Sequence, residues 1–407
     1  QDTVKDVSEA VVKQKNKSQM WNQAINNTQD LTSKSNKLIA DSYAMAGQID
    51  AETAKMIAEF NNNQIVIAPG FYKSGIEENN NIKIIYYKRT KSLFQRVLFR
   101  RKTKKIFIYI NGVLNLSTVR LVHAHTLFSD GAVAYNLYKE YDIPYVVAVR
   151  NTDIETFFKK MFWLRSMGYD ILRNASKIYF ISKSNLNNFL KVFPREIIQQ
   201  IEKKIEVSPN GINKIWLENR FIRREACLSS TINIVYCGDI VSNKNILNVA
   251  KAIKTLNERG YSINYHVIGL KEKQTSSYIR KIQKFQRKNS FFSMYPHSEI
   301  TSLITFFRQS DMFVMPSFKE TFGLVYIEAL SQGLPIIYTE GQGIDGTFPE
   351  GTVGYHVTPS CVNSIVEGIE KTIKNYSFIH NQIKSLNISQ YDWAKIASKY
   401  NNDYQTI

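Results

Sequence analysis

The chain has 407 residues, 43% of them apolar, and a formal charge of +18. That length exceeds one typical core and fits two domains of roughly 200 residues. No apolar run approaches the ~18 residues a spanning helix needs. Gln1, Asp2, Lys5 and Asp6 make neither the basic nor the apolar part of a secretory leader, so none is expected. Cys227, Cys237 and Cys361 are widely spaced, which fits a reducing compartment and excludes zinc spacing.

Residues 1–60 are polar, with few large apolar side chains, and read as an atypical helical segment. From residue 64 the pattern alternates. Strands are expected at 65–70, 82–88, 106–110, 119–123, 145–149 and 177–181, with helices at 132–141 and 186–193. The charged stretch 216–230 reads as a linker. A second alternating run follows, with strands at 232–237, 263–268, 312–315 and 334–339. Its helix at 246–259 gathers Ile246, Val249, Ala250, Ile253 and Leu256 on one face. The expected class is α/β, with two facing Rossmann-like doubly wound domains at 61–215 and 231–385. The stretch 386–407 reads as a terminal helix returning to the first domain. Ligands of such sheets lie at the carboxyl ends of the strands, so facing domains make a cleft between two sets of strand ends.

The most informative stretch runs from Pro316 to Pro335 as strand end, loop, helix, glycine turn and strand. Glu320 lies in the loop and Glu328 in the helix, with seven residues between. Phe322 and Gly323 open the helix, whose free N–H groups and positive dipole end favour a diphosphate. A solvated glutamate at a helix start would account for one of the carboxylates, but not for the whole arrangement.

This stretch resembles the Glu-x7-Glu signature of retaining glycosyltransferase family 4, of the GT-B fold, as found in capsule- and polysaccharide-building bacterial members. Further resemblances stand in the family's order. They are Ser208-Pro-Asn-Gly-Ile212, Tyr236-Cys-Gly-Asp-Ile-Val-Ser-Asn-Lys244, the cleft loops His123–Gly131 and Arg150–Asp153, and Gly341-Gln-Gly-Ile-Asp-Gly346. The resemblance implies that Glu320 contacts the transferred sugar and Glu328 the ribose. The amides of Phe322, Gly323 and Leu324 would hold phosphate and sugar, with Gly238, Asn210 and Gly211 also on the donor side. Lys244 would neutralise the leaving diphosphate. His125 is a catalytic candidate, and Asn151 and Asp153 are cleft candidates. A satisfied half-buried histidine and a helix-capping aspartate are the plain alternatives for His125 and Asp153. His123, on the strand itself, reads as structural.

The family retains anomeric configuration and needs no metal or other cofactor. The sequence agrees, with no Asp-x-Asp and no evident cluster of metal ligands. It departs from the family at Asp239, where arginine is usual, and at the start, where 37–47 is a weak stand-in for the first strand and glycine loop. Asp239 is expected to turn away from the diphosphate towards a backbone N–H of its own loop.

The basic run 91–105 includes Arg96, Arg100, Arg101 and Lys102 among Leu and Phe. It suits an amphipathic helix on an anionic membrane, or equally a solvated basic helix. Nucleic acid is not an expected partner, because no known module is present and the basic run carries aliphatics more than stacking aromatics. The reading is a transferase moving a sugar, UDP-linked, to a saccharide or polyprenyl-linked acceptor of a surface polysaccharide. It would be cytoplasmic and peripheral on the inner face of the cell membrane. The alternative is a GT-B-fold sugar-nucleotide binding protein with impaired catalysis.

Overall fold

The computed structural model describes residues 64–70, 75–79, 82–88, 99–271 and 276–407. The expectations placed on 1–60, on 37–47 and on Arg96 lie outside these residues. The chain divides into two units, Gln1–Arg89 and Thr90–Ile407. In the first, β1 (Gln64–Gly70), β2 (Gly75–Asn79) and β3 (Ile82–Lys88) form a sheet of their own, in the order β1-β3-β2. β1 runs parallel to β3 and β2 antiparallel to it.

The second unit holds two lobes with parallel sheets. The first lobe begins with α1 (Phe99–Val113), so 106–110 is helical and not the strand its alternating Ile-Phe-Ile-Tyr-Ile invites. Phe99, Thr103 and Ile110 are its buried residues, at helical spacing on one face. That face packs on α2 (Ser129–Tyr141), with the Phe99 ring 5.3 Å from Phe157. The sheet is β4 (Val122–Ala124), β5 (Tyr145–Val149), β6 (Lys177–Phe180) and β7 (Ile205–Val207), side by side in chain order. β5 is buried along its whole length, as a strand covered on both faces must be. A wide π-helical turn at Asp153–Phe158 follows it. Then come α3 (Arg165–Asn174), α4 (Lys183–Val192) and α5 (Arg195–Ile201). Ser182 caps α4 by accepting from Asn185 N at 3.1 Å.

The stretch read as a linker begins inside α6 (Lys214–Glu218), whose Trp216 is buried against Phe307 of the second lobe. That lobe comprises β8 (Ile232–Cys237), α7 (Ile246–Glu258), β9 (Ile263–Leu270), α8 (Ser277–Gln286), β10 (Phe292–Pro296), α9 (Ile300–Arg308), β11 (Met312–Val314), α10 (Leu324–Ser331), β12 (Ile336–Thr339) and β13 (Gly354–Val357). Its six strands are all parallel, in the order β10-β9-β8-β11-β12-β13. In chain numbering this is 3-2-1-4-5-6, the doubly wound order whose direction reverses between β8 and β11. α7 buries Ile246, Val249, Ala250, Ala252, Ile253 and Leu256 against the sheet.

After α11 (Val362–Lys374) and α12 (Tyr376–Ser385) the chain ends in α13 (Trp393–Gln405), which packs on the first lobe. Tyr400 lies 4.8 Å from the Tyr179 ring, and Tyr179 Oη donates to Asp403 at 2.6 Å. Lys177 pairs with Asp403 at 2.5 Å and also with Glu206, to which Lys399 binds as well.

Candidate functional site

The reversal between β8 and β11 opens a crevice at their carboxyl ends, and the sequence candidates of the second lobe gather there. Gly238 follows β8 with φ +142°, and Gly269 follows it across on β9 with φ +135°. A side chain on Gly269 would meet Gly238 O at 2.0 Å, so glycine is required for the two strand ends to lie this close. The loop after β8 carries Lys244 in a short 3-10 turn. Asn245, left-handed at φ +60°, fastens that loop by donating to Pro316 O at 3.1 Å and Pro359 O at 2.6 Å.

Glu320 sits in the loop after β11. Its carboxylate accepts from Lys244 Nζ at 2.7 Å and from Thr321 N at 3.1 Å. Phe322 is buried, and Gly323 takes φ +81° just before α10, where a Cβ would lie 2.5 Å from the Tyr326 ring. Tyr326 in turn fixes the helix to β11 by donating to Met315 O at 2.5 Å. Leu324 opens α10, so its first N–H groups point out of the strand ends. Glu328, one turn further, is enclosed enough that burial pushes its carboxyl up to about 7. Its charge reaches the Cys237 thiol at the end of β8, itself pushed up to about 12, mainly by burial.

Asp239 does not bond the backbone of its own loop as expected. Its carboxylate pairs with Lys271, beyond the end of β9, at 2.7 Å, while its carbonyl accepts from Tyr236 Oη at 2.7 Å. The charge partner lies 32 positions away in sequence, out of reach of any local pattern.

In the first lobe the candidates are used differently. Asp153 is 1% exposed, and its carboxylate accepts from Leu127 N at 3.1 Å, Phe128 N at 3.3 Å and Arg150 N at 2.9 Å. Burial still raises it to about 6 against the pull of those three bonds. It therefore ties the two cleft loops together and does not present its carboxylate to the cleft. His125 stacks on His123 at 4.3 Å, and its carbonyl accepts from Arg150 Nε at 3.0 Å. His123 is held well below the usual histidine range by burial, then by the charges of His125 and Arg150, and lies 2.5 Å from Tyr404 Oη. Asn151 reaches across to the second lobe, donating to Glu320 O at 3.2 Å. Gly211 packs against the Trp393 ring, where a Cβ would approach to 2.8 Å, and Ile212 N donates to Tyr391 O at 2.9 Å. The Asn210–Gly211 stretch thus joins the C-terminal segment.

Four residues that sequence reasoning did not single out also lie at the seam: Ser182, Ser184, Asn185 and Asn188 of α4 and its cap. The structure also gathers Asp345, Glu350 and His356, with ligand atoms within 4.8 Å of one another, a cluster the sequence did not reveal. Asp345 already caps the loop through Gly341 N at 2.6 Å and Gly346 N at 3.0 Å. Glu350 accepts from His356 N at 3.2 Å and Tyr338 Oη at 3.2 Å. This is the bonding of a braced loop.

On the basic helix, Arg100 and Arg101 are exposed, while Lys102 lies 6.0 Å from the Phe99 ring centroid. No helix among the described residues is long and apolar enough to cross a membrane.

Residues 220–387 match the family model described as Glycosyl transferases group 1. The Staphylococcus aureus capsular polysaccharide biosynthesis glycosyltransferase CapM is 30% identical over 215 residues, which is 49% of this chain and 56% of that one. The match thus spans little more than half of that relative. Sucrose-phosphate synthase from Thermosynechococcus elongatus shares the fold with a TM-score of 0.63 at 16% identity, covering 87% of this chain and 91% of that one. An E. coli structure named for trehalose-6-phosphate and bound with UDP-2-fluoro glucose gives 0.64 at 12% identity, covering 88% of this chain and 96% of that one. The chain carries a glycosyl transferases group 1 domain at residues 220–387, within a fold of GT-B type.

Proposed function

We propose that this chain is a retaining glycosyltransferase that moves a hexose from a nucleoside diphosphate sugar, UDP-linked, to a saccharide or polyprenyl-linked acceptor of a surface polysaccharide. The observation that carries the reading is the crevice at the β8/β11 reversal, where Glu320, Lys244 and the start of α10 converge. A diphosphate there faces free N–H groups and the positive end of a helix dipole. Lys244 moves from Glu320 to the phosphates and stabilises the charge that develops on the leaving group. Glu320 then accepts hydroxyls of the transferred sugar, and Glu328 accepts the ribose hydroxyls. The leaving phosphate takes the acceptor proton on the same face, so no metal and no protein nucleophile is needed. The alternative of an impaired binding protein draws on Asp239 and on the weak first strand and loop at 37–47; the ion pair with Lys271 offsets the Asp239 charge. The acceptor side includes α1, whose exposed Arg100, Arg101, Lys104 and Lys105 surround an Ile108 that is 57% exposed, a pattern that fits an anionic bilayer surface.

The test is a panel of nucleotide sugars assayed for nucleoside diphosphate release, with calorimetry of the free diphosphates. UDP is expected to bind and at least one UDP-sugar to turn over. Failure of every nucleoside diphosphate to bind would overturn the reading. For the membrane side, changing Arg100, Arg101 and Lys102 to Gln should lower sedimentation with anionic vesicles by about 1 kcal/mol per residue near the surface. Unchanged sedimentation would leave a solvated helix.

A further inference from the structure

The loops that carry Glu320 and the glycines of 341–346 are gripped from the first lobe, and the bonds all run in one direction. Asn151 Nδ2 donates to Glu320 O at 3.2 Å and lies 3.5 Å from Thr321 Oγ1. Ser182 Oγ donates to Thr321 O at 3.2 Å, Ser184 Oγ to Gly343 O at 2.7 Å, and Asn188 Nδ2 to Gly341 O at 3.1 Å. Asn185 Nδ2 donates to Asn151 Oδ1 at 2.6 Å and so fixes which way the Asn151 amide faces. The two gripped loops are themselves bonded, through Gly343 N to Glu320 O at 3.1 Å.

Two features of this seam argue for a role beyond packing. The first-lobe partners are side chains, and the main acceptors are backbone carbonyls. Substitution in the second lobe cannot delete such an acceptor, so the strength of the grip is written in four first-lobe side chains. The seam is also not bonded to completion. Asn185 is 1% exposed, and its Oδ1 has no hydrogen-bond partner among the described residues. A buried amide oxygen left unpaired costs free energy, so Asn185 is placed for the bond it gives Asn151 and not for its own full bonding.

We infer that Asn151, Ser184 and Asn188, with Asn185 orienting Asn151, are positioning residues: they form a clasp that sets the backbone of the Glu320 loop from the first lobe. None of them need touch the donor. Their effect passes through the Glu320 and Gly343 carbonyls to the carboxylate that faces the sugar. This rests on the proposed function for its consequence on turnover, and on the hydrogen bonds alone for the clasp itself.

Ser184→Ala, Asn151→Ala and Asn185→Ala in the full chain test it, with Ser184→Thr as the conservative rescue. Hydrogen exchange should quicken at least about threefold in peptides covering 317–323 and 340–346, with peptides of α7 unchanged. UDP affinity by calorimetry should stay within about twofold. kcat for transfer should fall about fivefold for each bond lost and recover in Ser184→Thr. Exchange equal to wild type in both Ser184→Ala and Asn151→Ala would overturn the clasp. A parallel fall in UDP affinity and kcat would overturn the positioning role, because it would mean the second lobe itself is damaged. Faster loop exchange in a protein that neither binds UDP nor transfers sugar would uphold the clasp and reject the transferase reading, so the two fail separately.

Discussion

The two lobes bring titratable groups to the same cleft and spend them in opposite ways. The first lobe turns its charges inward: Asp153 is consumed by three backbone N–H groups, and His123 is half-buried in a stack of rings. What it offers across the seam is neutral, the amides of Asn151 and Asn188 and the hydroxyls of Ser182 and Ser184. The second lobe keeps Lys244, Glu320 and Glu328 at its strand ends. A lobe that must hold a diphosphate needs fixed charge, whereas a lobe that grips a backbone and meets an acceptor needs donors that carry none. A charged donor on the gripping side would be a cation and would compete with Lys244 for Glu320.

Exchanging the roles breaks this contrast most sharply. Glu320→Gln should lower turnover about a hundredfold, the effect of one charge-assisted hydrogen bond of about 1.5–3 kcal/mol, with UDP affinity little changed. Glu328→Ala should do the reverse, weakening UDP with a smaller loss of turnover at saturation. Equal affinity losses in the two variants, measured by calorimetry, would erase the division between sugar and ribose.

Asp153→Ala should act on folding and not on chemistry. It strands three N–H groups, two of them buried, at about 1–3 kcal/mol for each buried unsatisfied group, and the thermal midpoint should drop by several degrees or more. A variant of wild-type midpoint that lost only turnover would move Asp153 into the cleft. Lys244→Ala should weaken UDP about tenfold, and Asp239→Asn should leave it within about twofold. Tighter UDP binding in Asp239→Asn would show that its carboxylate faces the phosphates.

The acid of Glu328 gives a pH test. Its carboxyl rises from 4.5 to about 7 on folding, so the folded chain holds that proton more tightly than the unfolded one. Its contribution therefore favours the fold at low pH and fades as pH rises from about 4.5 through 7. Glu328→Gln should flatten that part of the profile and be more stable than wild type above pH 7. An unchanged slope in thermal melts at pH 5 to 8 would rule this out. The smallest expected effect is that of excess EDTA on transfer, which should be nil. Loss restored by Mg²⁺ or Mn²⁺ would bring the Asp345, Glu350 and His356 cluster back as a metal site.

The second lobe was the more legible in sequence, for physical reasons. Its central strands are short, mostly or wholly buried runs, Ile232–Cys237 and Ile336–Thr339, and its first helix shows a clean apolar face. The edge strands Phe292–Pro296 and Gly354–Val357 escaped notice because they are only partly buried and half polar. In the first lobe, Ile-Phe-Ile-Tyr-Ile at 106–110 alternates only in side-chain size. Its helical register shows only when Phe99 and Thr103 are read together with Ile110. The π-helical turn at 153–158 has no local signature. The ion pair of Asp239 and the clasp of α4 depend on partners 32 to more than 150 positions away, which no window of sequence contains.

The chain passes between the lobes twice, and the two passages are bound to each other. Ile212 bridges to Asp392, and Gly211 lies against Trp393. Mechanically this is a two-ply strap, not a single tether. A single strand would let one lobe swivel, tilt and twist. Two strands fastened side by side resist torsion and leave bending about one axis as the easy motion. Each opening would then return the lobes along the same arc, so that Asn151 meets the same carbonyl each time. A larger residue at Gly211 would pry the plies apart and cost the molecule its repeatability of alignment before it cost either lobe its core.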